Sequence, residues 1–277
     1  MSGIKITGKN GTYGVVRRVA EYPHARVYLV KRDEDDKQFL LQAAATPEHN
    51  SALARAAFLC GEIVARSARV EVEYAALPGS KGPLNYHLHF PIVEESFLHE
   101  TDEGNQQMVV VGFHGTEDPN QMVPVRHFIE VDKLRTDLRS TVWVVGKALK
   151  ALQFSHDSLI SLGMTDAGNL LIGPNKHYVV YFDLTMAELR TEPVPRSVRT
   201  EEIIEVAKAA IDLSAGNAET GEFPDTEDGR LQPYVDFLIE LANGEYHDAH
   251  IAHVRHYEIA DSLWEYGVFH PFTFFPR

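Results

Sequence analysis

The sequence predicts an α+β chain in two parts, an antiparallel sheet carrying one helix followed by a mainly helical half. Three observations predict it. Three short runs rich in β-branched and aromatic residues, at 13–19 (YGVVRRV), 26–31 (RVYLVK) and 38–43 (QFLLQA), are separated only by EYPHA and RDEDDK. An apolar helical pattern follows at once, from Thr46 to about Ser67. Beyond residue 130 the apolar spacing is helical almost throughout, interrupted by one short hairpin within residues 152–185.

Composition sets the bounds. The chain has 277 residues, 44% of them hydrophobic and 10% aromatic, enough for a sizeable core and too apolar for wholesale disorder. Its net charge of −14, from 40 acidic residues against 26 Lys and Arg, argues against nucleic acid as the main partner, since phosphate backbones reward basic stripes. The single cysteine, Cys60, falls in an apolar helical pattern and is expected to be a buried small hydrophobe. One thiol forms no internal disulfide, which fits a reducing compartment. The start, MSGIKITGKNG, lacks the apolar run of a signal peptide, and no stretch reaches bilayer-spanning length. A cytoplasmic protein that binds neither membrane nor nucleic acid is expected.

Taken in order, the separator EYPHA carries a proline suited to a turn, and RDEDDK is a charged hairpin. Thr46 is expected to cap the helix, with Pro47 in its first turn and Glu48 at the positive end of the dipole. Leu53, Ala56, Cys60 and Ile63 then mark its buried face. Strands are predicted at 69–76, 85–93 and 107–113, with PGSKGP and HETDEGN as turns. His87-Leu88-His89 would place two imidazoles on one strand face, without a third metal ligand in view. Residues 130–155 are predicted as one helix, since Leu134, Leu138, Val142, Val145, Leu149 and Leu152 form a continuous apolar stripe. Further helices are predicted from Thr200, over about 231–241 and over about 246–265. Residues 214–229 form an acidic loop. In the last helix His247, His250, His253 and His256 recur every third residue, drift round the axis, and read as a solvated face. The Phe-rich tail VFHPFTFFPR is expected to pack on its own half of the chain.

The chemistry sits in residues 152–185. A polar loop leads to an apolar strand at 170–172, a turn at Gly173-Pro174-Asn175, and a second strand at 178–182 that ends on Asp183. Asn169 and Asp183 thus stand at the edge of one hairpin, and both carry the hard oxygen donors that Mg²⁺ takes. This stretch, GNLLI followed by DLT, resembles the catalytic-loop-to-metal-loop segment of the protein-kinase superfamily, read as GN(I/L)L(I/V) and then DFG. The resemblance extends to order and spacing over most of the chain. It implies a bilobal protein-kinase-like fold, with an N-lobe over residues 1–125 and a C-lobe over 126–277. It further implies ATP and Mg²⁺ as cofactors, Asn169 and Asp183 as metal ligands, and an adenine facing the backbone near Gly112 and His114.

Other positions depart from the family. Where the catalytic Asp belongs, five residues before Asn169, stands Met164, and a thioether takes no proton from a hydroxyl. Asp166 is the one carboxylate close enough to substitute as the catalytic residue. Two frames compete for the nucleotide loop. One uses Gly11-Thr12-Tyr13-Gly14-Val15-Val16 with Lys31 as the strand-three lysine. The other makes Ala20–Val27 the loop and puts Gln42 at the lysine position; it is preferred because it leaves three clean strands before the helix. In that frame Ala20, Tyr22 and Ala25 replace three glycines, and Glu62 stands where the helix would supply its ion-pairing acid. The resemblance therefore implies a degenerate, pseudokinase-like member with weak or no phosphoryl transfer, acting by binding or scaffolding on a protein partner. Two alternatives stay open: an active divergent phosphotransferase using Asp166 and Asp183, and an interaction protein that takes no nucleotide.

Overall fold

The computed structural model describes residues 3–80, 82–102, 104–115, 118–224, 226, 229–264 and 270–277. Parts of the expected turns at 78–83 and 99–105, of the acidic loop, and of the last helix end and tail (265–269) lie outside the described residues. The chain divides into two compact units, one of Met1–Gln121 with Asp183–Met186, the other of Met122–Phe182 with Ala187–Arg277.

The first unit is built on six antiparallel strands: β1 (Lys5–Thr7), β2 (Thr12–Glu21), β3 (Ala25–Arg32), β4 (Gln38–Ala44), β5 (Pro91–Thr101) and β6 (Gly104–Phe113). Their order in the sheet is β1-β2-β3-β4-β6-β5. Side chains two apart share a face, so Tyr13 and Val15, Phe39, Leu41 and Ala43, and Met108 and Val110 gather in one apolar cluster with Ile6 and Val30. Helix α1 (Asn50–Ala75) packs against β5 and β6 with Leu53, Ala56, Cys60 and Ile63 buried, as their spacing predicts.

Several expectations for this unit need correction. Thr46 makes no capping bond to the backbone; its hydroxyl meets His49 Nδ1 at 3.0 Å, and a short 3₁₀ turn (Pro47–His49) precedes α1. The strand expected at 69–76 is the end of α1. The alternation in Arg69-Val70-Glu71-Val72-Glu73 mimics a strand, yet no helix breaker stands before Pro78, and Val72 points to solvent. The strand expected at 85–93 is instead a 3₁₀ turn (Tyr86–His89), entered through a left-handed Asn85, with β5 starting only at Pro91. His87 and His89 therefore share no strand face. His87 Nδ1 bonds Glu71 at 2.9 Å, and His89 is buried.

The second unit holds β7 (Val123–Pro124), α2 (Val125–Glu130), β8 (Leu134–Thr136), α3 (Leu138–Asp157), β9 (Ile160–Ser161), β10 (Leu170–Gly173), β11 (Tyr178–Tyr181), β12 (Glu188–Leu189), α4 (Arg196–Leu213), α5 (Gln232–Ala242), α6 (Ala249–Leu263) and β13 (Phe274–Pro276). The helix expected over 130–155 starts eight residues later. Lys133 adopts a positive φ of 53°, Leu134 joins β8, and Asp137 caps α3 by accepting from Ser140 N at 2.6 Å. The tail packs on its own unit as predicted: β13 pairs with β8, and Phe272 and Phe274 lie on Phe128, with Phe272 also against Trp143. The histidine run departs from a solvated face. Asp248 caps α6, His250 is exposed, and His256 is 2% exposed between Tyr234 and Phe237. Burial pushes the His256 imidazole down to about 3 and that of His253 to about 4.

Candidate functional site

In the first unit the turn between β2 and β3 is short and pinned. Tyr22 N donates to Ala25 O at 2.8 Å, and Ala45 N donates to His24 O at 3.0 Å, tying the turn to the end of β4. The Tyr22 ring stacks on the His24 imidazole at 5.7 Å and 14°. Pro23 between them fixes its own φ. The turn thus presents an imidazole on a rigid support.

That imidazole meets Asp183. His24 Nε2 lies 2.6 Å from Asp183 Oδ2 and 3.1 Å from Thr185 Oγ1. Asp183 Oδ1 accepts from Thr185 N at 2.9 Å and from Thr185 Oγ1 at 2.7 Å. From α1, Arg55 Nη2 donates to Thr185 O at 2.7 Å, holding the segment from its other side. The Asp183 side chain is only 3% exposed. Burial pushes its carboxyl up, but the bonds from His24 and Thr185 outweigh burial and hold it below the usual carboxylate range. The bond to Asp183 in turn raises the His24 imidazole, against the opposite pull of burial. The Cys60 thiol is buried and pushed up to about 12 by burial, with the charge of Asp183 adding to it.

The remaining candidates of this unit are placed as follows. Gln42 lies on β4, 5% exposed, level with Val27 of β3 and Val109 of β6. Lys31 lies on β3, paired with Asp36 at 2.8 Å on the surface. Its strand is therefore the second of the β2–β3–β4 run, whereas Gln42 occupies the third. Glu62 faces Arg66 of its own helix at 3.7 Å. Gly112 is on β6 opposite Ile92. His114 follows that strand, meets His87 edge to face at 4.8 Å, and is pushed down to about 4 by burial, with His87 adding to the shift.

In the second unit, β10 and β11 pair from Leu170↔Tyr181 to Gly173↔Tyr178, the hairpin that the sequence predicts. Asn169 begins it, 1% exposed, with its Nδ2 donating to Met164 O at 2.8 Å. Asp166 is committed at both oxygens. Oδ2 accepts from Arg126 Nη2 at 3.1 Å and Oδ1 from Gly168 N at 2.6 Å. A Cβ on Gly168 would stand 2.7 Å from the Arg126 guanidinium and 2.8 Å from Asp166 Oδ1, so a larger residue here would displace that ion pair. Asp166 lines a cavity of about 140 Å³ with Arg126, Glu130, Lys208 and Asp212. His156 belongs to another network, its Nε2 2.6 Å from Glu202 Oε2, while Glu202 Oε1 accepts from Gly163 N at 2.7 Å. Asn169 and Asp183, the expected metal pair, fall one in each unit.

Sequence reasoning missed His24, Thr185, Arg55 and Arg126. The imidazole was visible inside the preferred loop segment, and a hydroxyl residue two places after Asp183 was visible as a donor able to turn back on it.

No protein-family model matches the chain, and no curated protein matches it by sequence. Solved kinase structures do match in three dimensions. The structure of vaccinia related kinase 3 aligns with a TM-score of 0.59 at 15% identity, over 95% of this chain and 91% of that one. The BubR1 kinase domain aligns with a TM-score of 0.55 at 10% identity, over 94% and 89%. The chain has a protein-kinase-like α+β fold.

Proposed function

We propose that this chain is a pseudokinase-like protein that acts by binding or scaffolding, with weak or no phosphoryl transfer. The observation that carries this reading is the state of the base position. Met164 offers a thioether where a carboxylate is needed, and Asp166, the nearest substitute, is bound to Arg126 and to its own loop. Phosphoryl transfer depends on positioning and on neutralising developing charge, so losing the base and the neutralising cation together removes most of the catalytic effect.

The residues at the nucleotide positions do not suit Mg·ATP. A neutral Gln42 stands on the third strand, and the β2–β3 turn carries Tyr22, Pro23 and His24 where backbone N–H groups would need to close over phosphates. Both oxygens of Asp183 already accept bonds from the chain's own donors. The acidic surface favours a protein partner over nucleic acid. Among the described residues no helix is long and apolar enough to cross a membrane.

Phosphate release from ATP, measured on wild type, Asp166→Ala and Met164→Asp, tests the reading. All three are expected to stay at background, because restoring a carboxylate at 164 leaves the missing cation unreplaced. Turnover by the wild type that disappears in Asp166→Ala would instead make this an active, divergent phosphotransferase.

A further inference from the structure

We propose that His24 stands in for the divalent cation at Asp183, so that the metal position of this loop is filled by the chain itself and removal of the imidazole uncovers a latent cation site. The inference rests on the kinase-like reading of the loop and goes beyond it by naming what occupies the position.

The contact has the form of a replaced ligand. A Mg²⁺ ion would approach a carboxylate oxygen to about 2.1 Å and keep several waters around it. Here the Oδ2 side of Asp183 is covered by Nε2 of His24 at 2.6 Å, and the carboxylate is almost wholly buried. The hydroxyl proton of Thr185 is given to Oδ1, so the Thr185 oxygen is left to accept from His24 Nε2–H at 3.1 Å. One N–H therefore serves both residues of the loop, as a cation bridging two oxygens would.

The support of the imidazole is a second, independent observation. Two backbone hydrogen bonds close the turn and tie it to β4, and Tyr22 stacks on the ring from one face. A glycine-rich loop would leave this stretch free to rearrange around a ligand. The pinned turn does the reverse: it delivers one donor to one carboxylate. On the other side, Arg55 fixes Thr185 through its carbonyl, so the cradle stays formed when the imidazole is taken away. What remains is a buried carboxylate whose Oδ2 has lost its His24 donor, a costly state that a cation relieves.

Isothermal titration of the full chain with MnCl₂ tests this on wild type, His24→Ala and His24→Ala/Asp183→Asn. The wild type is expected to give no saturable heat, His24→Ala to bind one Mn²⁺, and the double variant to lose that binding. Equal Mn²⁺ binding by wild type and His24→Ala would overturn the proposal, and so would silence from a His24→Ala chain whose circular dichroism is that of the wild type. His24→Ser, whose side chain is too short to reach Asp183, covers the case of an unfolded alanine variant. It is expected to bind Mn²⁺ where wild type does not, and its silence would count equally against the proposal. A wild type inert towards ATP that nonetheless binds Mn²⁺ overturns this inference alone. ATP turnover by a wild type whose Mn²⁺ titration is silent overturns the non-catalytic reading alone.

Discussion

At the scale of the residue, Asp183 shows how partners decide what a carboxylate can do. A buried acid is stable as an anion only if donors surround it, and those on this one include His24 Nε2, Thr185 N and Thr185 Oγ1. Removing one partner of a buried pair takes away a donor that burial makes costly to lose, so His24→Ala is expected to destabilise the fold by about 3 kcal/mol. His24→Ala and Asp183→Ala together should cost less than their sum, with a coupling of about 1–3 kcal/mol. Urea denaturation of the four chains measures it, and strict additivity would show that the contact carries no energy. The sequence made Asp183 and Asn169 conspicuous by their place at the ends of a hairpin. It could not pair His24 with Asp183, because 159 residues separate them and no local pattern records a contact of that range.

At the scale of the element, long apolar stripes were legible and their ends were not. The buried face of α1 follows from the spacing of Leu53, Ala56, Cys60 and Ile63, but its last turn was hidden by a Val-Glu alternation that looks like a strand. The start of α3 was misplaced because Leu134 falls in phase with the stripe, although a left-handed Lys133 and the Asp137 cap decide the boundary. Helix α6 shows the same limit. Its histidines recur every third residue, yet packing divides them into an exposed His250 and a buried His256. A Cβ on Gly146 of α3 would come within 2.8 Å of His256 Nε2, so this glycine makes room for the ring.

That burial has a pH consequence. The folded-state pKa of His256 lies near 3 against an unfolded value near 6.5, so the unfolded chain binds the proton first as pH falls. Its contribution is complete above about pH 6.5 and is lost downward to about pH 3, at up to about 1.4 kcal/mol per pH unit. His256→Gln should be less stable than wild type at neutral pH, and the gap should close on acidification. Urea midpoints across that window measure it; a gap that stays constant would mean that His256 does not titrate on unfolding.

At the scale of the whole molecule, the order of elements was the most legible feature. Three strands, a helix, more strands and then a helical half containing one hairpin are what the sequence predicts, and two solved kinase structures share the resulting fold at 15% and 10% identity. A fold can be shared at such low identity because it depends on the pattern of apolar residues, whereas phosphoryl transfer depends on a few charged groups in fixed places. The positions that the resemblance assigns to those groups carry Gln42 on the third strand, Met164 before Asn169, Asp166 held by Arg126, and Asp183 held by His24.

The chain has a kinase-like fold, and we propose that it does not keep the nucleotide chemistry. Thermal unfolding of the wild type with and without saturating Mg·ATP tests it most directly, since any ligand that binds only the folded chain must raise the midpoint. An unchanged midpoint is predicted. A rise that vanishes in Asp183→Ala would contradict the account.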